Sequence, residues 1–515
     1  VSQKGHIFWQ NRQQGGIFMA GEPCFSLSLN QRNIWNLEQT YPGTSMNHIS
    51  TTIHINGRID LNLLEKSIHM VLKSDASLRT RLCMKEGEPF QYQVDYDEEP
   101  FLIYDFSHTN EEGIRNWQEA VAREAMPLFD RPLYRFFIFK TGDSSGGVMM
   151  KLHHLISDGW TQVLVSNRIA ENYMSFLRGE EPSLTEAPNY RLHVEEEQAY
   201  LASPAFERDK KYWKERFEKG GVPAVLSASG GAVISPVGRR VGFRFPETLN
   251  HAVYQFCTER RAAPFAVFYM ALAIYFRRMG QEGSLVIGVP VINRINYRFK
   301  QSTGMFVSTL PFFCEIDEAW CLDEFYEHMQ ENWYDLLRHQ RFPLSRMEEL
   351  RGAEQKNTPL FEIAFSYEDS RIMENRDTSI TFSGGWHYSG YQSEQLCIHL
   401  NNLESERRYA VNYDYLTQLF SEDDITKFHR TLECIMMQML QNPKQPICRL
   451  QILRAEDMER VLYTYNQTGK YVPGKNLKEV FKKVCREYPE RAAVIYQGRR
   501  LNYRELEERA GNISR

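Results

Sequence analysis

The spacing of hydrophobic residues along this chain switches repeatedly between a period of two and a period near 3.6, so strands and helices alternate. Asn47 to Ile59 alternates and is β-branched, which predicts a strand, and Gly57 to Asp60 then turns the chain. Leu61, Leu64, Ile68 and Leu72 follow at helical spacing. Arg79 to Met84 and Pro89 to Val94 predict strands on either side of a turn at Gly87. Phe136 to Phe139 and Val148 to Leu152 predict two more. A charged helical stretch over Val194 to Glu218 ends at Gly220-Gly221.

The pattern then restarts. Arg240 to Phe245 predicts a strand, Pro246 to Thr248 a turn, and Leu249, Val253 and Phe256 a helix. This weak echo of the unit beginning near Asn47 points to two mixed α/β lobes of similar plan rather than an array of short repeats. The apolar run Pro264 to Phe276 is too short to span a bilayer and predicts a buried helix. Leu285 to Val291, Met305 to Phe313, Phe361 to Tyr367 and Tyr409 to Tyr413 predict strands, and Trp320 to His339 and Ile425 to Leu440 helices. From Tyr465 to Lys475 the composition becomes that of a linker; a helix over Leu477 to Tyr488 and a strand over Ala492 to Tyr496 follow. The expected division is an N-terminal extension over 1–25, lobes over 26–195 and 196–465, a linker over 466–475 and a further fragment over 476–515.

Composition narrows the function classes. The chain has 515 residues, 42% hydrophobic and 13% aromatic, enough for several cores. A net charge of -5 shows no basic excess, so neither nucleic acid nor an anionic membrane is an expected partner. The nine cysteines are scattered and form no C-x-x-C pair, which points away from disulfides or structural zinc and toward a reducing cytoplasm. The first twenty residues lack the apolar core of a signal peptide.

The sharpest chemical feature is His153-His154-Leu155-Ile156-Ser157-Asp158-Gly159-Trp160, which follows the Val148 to Leu152 strand, with a helix expected from near Thr161. Neighbouring strand side chains point to opposite faces, so one histidine can serve a given site while the other is structural. Taken alone, such a pair can also arise by chance. A metal site would need three or four converging ligands, and only His and Asp are offered, so no metal is expected.

This octapeptide resembles the H-H-x-x-x-D-G-W signature of nonribosomal peptide synthetase condensation domains, a family similar in fold to chloramphenicol acetyltransferase. Further motifs of that family have counterparts here in order: Ser28 to Trp35, Leu78-Arg79-Thr80, Gly304 to Leu310, His339-Gln340 with Phe342-Pro343, and Asn357 to Phe361. The resemblance covers about residues 26 to 465. Leu501 to Leu506 resembles the first core motif of adenylation domains, although the phosphate loop and catalytic lysine of those enzymes are missing. Three positions depart from the pattern: Ser308 stands for Asn, Asp75 for a frequent His, and the fourth motif is reduced to Tyr190, with Leu192 where an Asp is usual.

The resemblance implies an α/β (α+β) fold of two lobes in a V-shaped pseudo-dimer around a central tunnel. It implies an acyltransferase that forms an amide in a single active site, with His154 as proton acceptor or amine-orienting group and His153 more structural. Asp158 has two readings, a direct partner of His154 or an ion pair with Arg294; the second is preferred. Gly159 has two as well: close approach of substrate with its N–H facing the oxyanion, or simple turn geometry. Trp160 is expected as a core anchor. No cofactor is expected to bind directly, because substrates would ride on the 4'-phosphopantetheine of carrier proteins, or on coenzyme A for the donor. The partners implied are a downstream peptidyl carrier domain, an acyl carrier protein or acyl-coenzyme A, and an adenylation domain in cis, with the chain itself a monomer. Were Met19 a native start, the donor would be an acyl group and the domain of the starter type; an elongation domain with an aminoacyl or peptidyl donor is the alternative, and epimerisation or a non-catalytic module are others.

Overall fold

The computed structural model describes residues 24–226, 235–352, 358–368, 372, 379–405, 407–453, 455–469 and 476–513. Met19, Asn357 and the linker residues 470–475 therefore lie outside the described residues.

A five-stranded sheet organises the first lobe, in the order Thr381–His387, His48–Asn56, Ser145–His153, Tyr134–Gly142 and Leu102–Asp105. Ile53, Ile55, Phe136, Ile138, Val148, Met150 and Leu152 are buried in the main core of this lobe, with residues of the helices Leu61–Ser74 and Gly159–Leu177. The alternate positions Phe137, Phe139 and Met149 pack with Trp117, Val121 and Ala122 of the helix Glu111–Arg123. Because both faces are buried, Phe136 to Phe139 and Val148 to Leu152 read in sequence as nearly continuous apolar runs.

The second lobe is built on a seven-stranded sheet. Its path runs Ser308–Cys314, Leu285–Val291, Ile363–Glu368, Leu396–Ser405, Arg408–Leu416, Gly238–Arg244, with Val222–Pro223 beside Leu285–Val291. Its core takes in the helices Glu247–Arg260, Pro264–Arg278, Leu322–Arg338 and Glu422–Gln441. The run Ala266 to Phe276 is buried throughout, as its sequence predicts. On the strands, Phe365, Ile398, Leu400, Tyr413 and Tyr415 belong to that core, while Arg240, Ser366, His399 and Asp414 occupy the alternating positions.

Three features depart from the expected layout. The charged stretch near Val194 is two helices, Arg191–Leu201 and Pro204–Glu218, because Ser203 caps the second and Pro204 cannot continue the first. Thr381–His387, far beyond residue 195, pairs antiparallel with His48–Asn56 and so belongs to the first lobe's sheet. The chain divides into two compact units between Ile452 and Leu453, earlier than the expected linker. The second unit contains the helices Leu477–Glu487 and Tyr503–Ile513 and the strand pair Ala492–Tyr496 and Arg499–Asn502, and Cys485 is its one buried hydrophobic residue among those described.

Candidate active site

The last residue of the Ser145–His153 strand is fully buried. Nδ1 of His153 accepts the Leu155 N–H at 3.0 Å, so Nε2 carries the proton and donates to Glu38 Oε1 at 3.2 Å. Glu38 also accepts from Asn47 Nδ2 at 2.7 Å. Every polar atom of the His153 ring is thus engaged inside the first lobe.

His154 turns the other way and is half-buried. Its backbone N–H donates to the Asn47 carbonyl at 2.8 Å, which holds the strand end against the neighbouring strand. Its Nδ1 donates to the Ser157 carbonyl at 3.1 Å, which fixes the tautomer and leaves the lone pair on Nε2. Burial, with His153 nearby, pushes the imidazole down to about 4, against the opposing pull of Asp158. At neutral pH His154 is an uncharged acceptor.

Asp158 caps the helix Gly159–Leu177, its Oδ1 accepting the Thr161 N–H at 2.8 Å. It also forms a forked pair with Arg294, at 2.7 Å from Nη1 to Oδ2 and 3.0 Å from Nη2 to Oδ1. Phe306 and Val307 N–H groups donate to Oδ2 at 3.0 and 3.1 Å. Burial alone would raise this carboxyl, but Arg294 and the N–H donors outweigh it and hold its pKa below the ordinary carboxylate range. The carboxylate therefore joins the first lobe to a loop of the second, and no hydrogen bond runs from it to the His154 ring. Of its two sequence readings, the geometry is that of the ion pair.

Gly159 is the first residue of the helix, with φ outside the left-handed region. A Cβ built on it would meet Trp386 at 3.8 Å, ordinary contact. Neither the turn nor the packing requires a glycine there. Gly304 is the opposite case, with φ +140° and a hypothetical Cβ 2.1 Å from the Tyr190 ring. Trp160 is half-buried rather than a core anchor, and its Nε1 donates to the Lys300 carbonyl at 2.9 Å. The Arg294 guanidinium stacks over Phe306 at 4.2 Å.

Of the other motifs, Asn30 and Tyr190 reach the same loop, while Gln31, Arg79 and His339 serve elsewhere. Asn30 Nδ2 donates to the Phe306 and Val307 carbonyls at 2.9 and 3.2 Å, and Gln31 Nε2 to the Leu155 carbonyl at 2.7 Å. Tyr190 donates its hydroxyl hydrogen to the Met305 carbonyl at 2.6 Å and lies 2.8 Å from Ser28 Oγ. Arg79 caps the end of the helix Leu61–Ser74 through the Leu72 carbonyl at 2.6 Å. His339 is held inside the second lobe, 2.7 Å from Asp209 and stacked on Tyr212. Glu38 and Trp386, which complete the surroundings of His153 and Gly159, carry no motif. Only a contact map of the folded chain could have found them.

A mixed α/β fold of two lobes places His154 beside a buried Asp158–Arg294 pair that ties the lobes together, and the comparisons give the class. Residues 23–462 match the condensation-domain family, and the chain belongs to that family, whose reaction is amide, C–N, bond formation. The first condensation domain of the calcium-dependent antibiotic synthetase, in complex with a substrate analogue, is similar at a TM-score of 0.73 and 20% identity, over 84% of this chain and 99% of that one. A variant of the starter condensation domain of rhizomide synthetase, in complex with C8-CoA, gives 0.73 and 19%, over 84% of this chain and 98% of that one. A four-domain nonribosomal peptide synthetase bound to AMP and glycine gives 0.75 and 18%, over 98% of this chain and 39% of that one. These likenesses support the chloramphenicol-acetyltransferase-like fold. Among curated proteins, surfactin synthase subunit 1 of Bacillus subtilis (strain 168) is 28% identical over 94% of this chain, which spans 14% of that protein's length. The dimodular nonribosomal peptide synthase of the same organism is 22% identical over 95% of this chain and 21% of its own length. Among the described residues, no helix is long and apolar enough to cross a membrane.

Proposed function

We propose that the chain transfers an acyl group from a thioester to the amine of an amino acid held on a carrier domain, and that the donor is a fatty acyl group, as in a starter condensation domain. The observation that carries the chemical reading is His154, whose Nδ1 is anchored to the Ser157 carbonyl and whose Nε2 is left available, beside the start of the helix Gly159–Leu177, where Gly159 presents no side chain. The support for the donor is the likeness to a starter domain in complex with C8-CoA.

A free α-amino group has a pKa of roughly 7.7–8.0, so near pH 7 about a tenth is already nucleophilic. It attacks the thioester carbonyl, and a tetrahedral adduct forms in which nitrogen carries positive charge and oxygen negative charge. His154 Nε2 accepts the ammonium proton at this stage, a task within reach of a weakly basic imidazole. The Gly159 N–H faces the oxyanion. Collapse expels the thiolate, which takes up the proton held on His154 Nε2, so the products are amide and thiol and the imidazole is neutral again. His153 and the Asp158–Arg294 pair hold the geometry.

Both substrates would arrive on phosphopantetheine arms, or the donor on coenzyme A, through the two ends of a tunnel between the lobes. The carrier partners would be a downstream peptidyl carrier domain and an acyl carrier protein. An adenylation domain would follow in cis, for which the Leu501 to Leu506 motif speaks. The deciding experiment weighs, by intact mass, the downstream carrier loaded with an amino acid, after incubation with this chain and either fatty acyl or aminoacyl thioesters. A mass gain from the fatty acyl donor alone is expected. A gain from the aminoacyl donor alone would make this an elongation domain.

A further inference from the structure

Asp75 stands where the resemblance leads to a histidine, and the chemistry above does not use it. It sits between the helix Leu61–Ser74 and the short 3-10 helix Ala76–Arg79, and is completely buried. Its carboxylate has three donors. Oδ1 accepts the Ser77 N–H at 3.1 Å and the Thr303 hydroxyl at 3.0 Å, and Oδ2 accepts Arg168 Nη1 at 2.8 Å. Ser77 and Arg168 belong to the first lobe, whereas Thr303 lies in the loop that leads into the second lobe's strand Ser308–Cys314. Arg168 grips the same loop directly, its Nη2 donating to the Gln301 carbonyl at 2.5 Å.

This is the loop that reaches Asp158. Its Gly304 exchanges hydrogen bonds with Thr161, N–H to Oγ1 and Oγ1 to carbonyl, both at 3.0 Å. Its Phe306 and Val307 N–H groups hold Asp158. One carboxylate of the first lobe thus fixes each end of the segment 301–307. Little between them can yield: Ser302 and Thr303 are fully buried, and the Tyr190 ring blocks Gly304. A carboxylate is acceptor-only and can satisfy three donors at once, which the one acceptor nitrogen of a neutral histidine cannot.

We propose that Asp75 is a positioning residue: with Arg168 it fixes the Gln301–Gly304 part of this loop against the first lobe, and thereby sets where Phe306 and Val307 hold Asp158 and the start of the helix that carries Gly159. Its kinetic consequence rests on the amide-forming reading above; its structural consequence does not. A shift of a fraction of an ångström at a reacting centre is enough to slow a reaction severalfold, so the loop need not unfold for the rate to fall.

Two variants of the full chain test this. Asp75→Asn keeps the shape and an acceptor oxygen but removes the charge that Arg168 holds; Thr303→Val removes only the cross-lobe hydroxyl. Amide formation on an aminoacyl-loaded carrier would be followed at saturating acyl thioester, together with hydrogen exchange of the 301–307 peptide. For Asp75→Asn, kcat is expected to fall about tenfold, with KM for the loaded carrier within about twofold of the parent. Thr303→Val should act in the same direction and less, and the double variant should be no slower than Asp75→Asn alone. In both single variants the 301–307 peptide should exchange faster. Unchanged exchange in the folded variants would overturn the positioning role, and faster exchange with an unchanged kcat would overturn its catalytic consequence. If the parent forms no amide, the proposed function fails, while exchange still decides whether Asp75 fixes the loop.

Discussion

At the scale of single residues, two adjacent histidines of one strand end differ entirely in fate. His153 has both nitrogens engaged inside the lobe, whereas His154 has one nitrogen anchored and one available. His154→Ala should lower amide formation by about 10²–10⁴ while leaving the melting temperature close to the parent's. Full turnover by the folded variant would remove His154 from the mechanism. Burial pushes His154 down to about 4, so its titration falls well below that of the substrate amine. The rate at saturating donor should therefore rise toward pH 8 as the substrate ammonium loses its proton, and show no limb near pH 6.5; such a limb would contradict a desolvated, neutral imidazole. The glycines separate two roles in the same way. Gly159→Ala meets only ordinary contact and should fold normally while losing activity if substrate passes there, whereas Gly304→Ala drives a methyl group into Tyr190 and should fail to fold stably. Equal activity of Gly159→Ala and the parent would leave close approach of substrate without support.

At the scale of elements, the start of the helix Gly159–Leu177 is fixed by a carboxylate that also binds the other lobe. Asp158→Ala would leave the buried Arg294 without its counter-charge, and Phe306 and Val307 N–H groups without acceptors. A loss of about 3–5 kcal/mol is expected by chemical denaturation. A variant that unfolds like the parent yet is inactive would instead make Asp158 a direct participant. On the second lobe's sheet, His399 lies 3.2 Å from Glu368 and 3.3 Å from Asp414, and Arg240 forks onto Asp414 at 2.6 and 2.8 Å. Burial opposes the charge on His399, but the two carboxylates prevail and raise it to about 9. A raised histidine pKa stabilises the fold fully below pH 6.5, its unfolded value, and loses that effect as pH climbs through 9. The stability deficit of His399→Gln relative to the parent should accordingly be largest near pH 6 and shrink by pH 9. A deficit independent of pH would show that packing, not charge, is what the histidine supplies.

At the scale of the whole molecule, the first unit is one body because its lobes share both a strand and a buried charge network. Thr381–His387 leaves the second lobe's part of the chain to complete the first lobe's sheet. Cooperative unfolding of this unit is therefore expected. All eight tryptophans precede residue 453, so their fluorescence reports on the first unit alone and should change in a single denaturant transition. Two separated tryptophan transitions would show lobes that fold independently.

Much of this was legible in the chain itself. Strands with both faces covered announce themselves by apolar runs, as Leu285–Val291 does, and the buried helix Pro264–Arg278 by an unbroken stretch without charge. The histidine motif, with the ordered motifs around it, pointed to the family, because local chemistry at fixed spacing survives in sequence, and the resemblance in turn implied the Asp158–Arg294 pair. Thr381–His387 did not show: with two glycines and few β-branched residues it has little strand propensity of its own, and pairing with His48–Asn56 makes it a strand. Nor did the sequence separate the two readings of Gly159 or reveal the grip of Asp75 on Thr303. These depend on atoms brought together across more than a hundred residues, and a linear pattern carries only the spacings of one element at a time. The residues' chemical capacities were set by sequence; which lone pair stays available, which carboxylate is neutralised and which glycine has room were decided by tertiary packing.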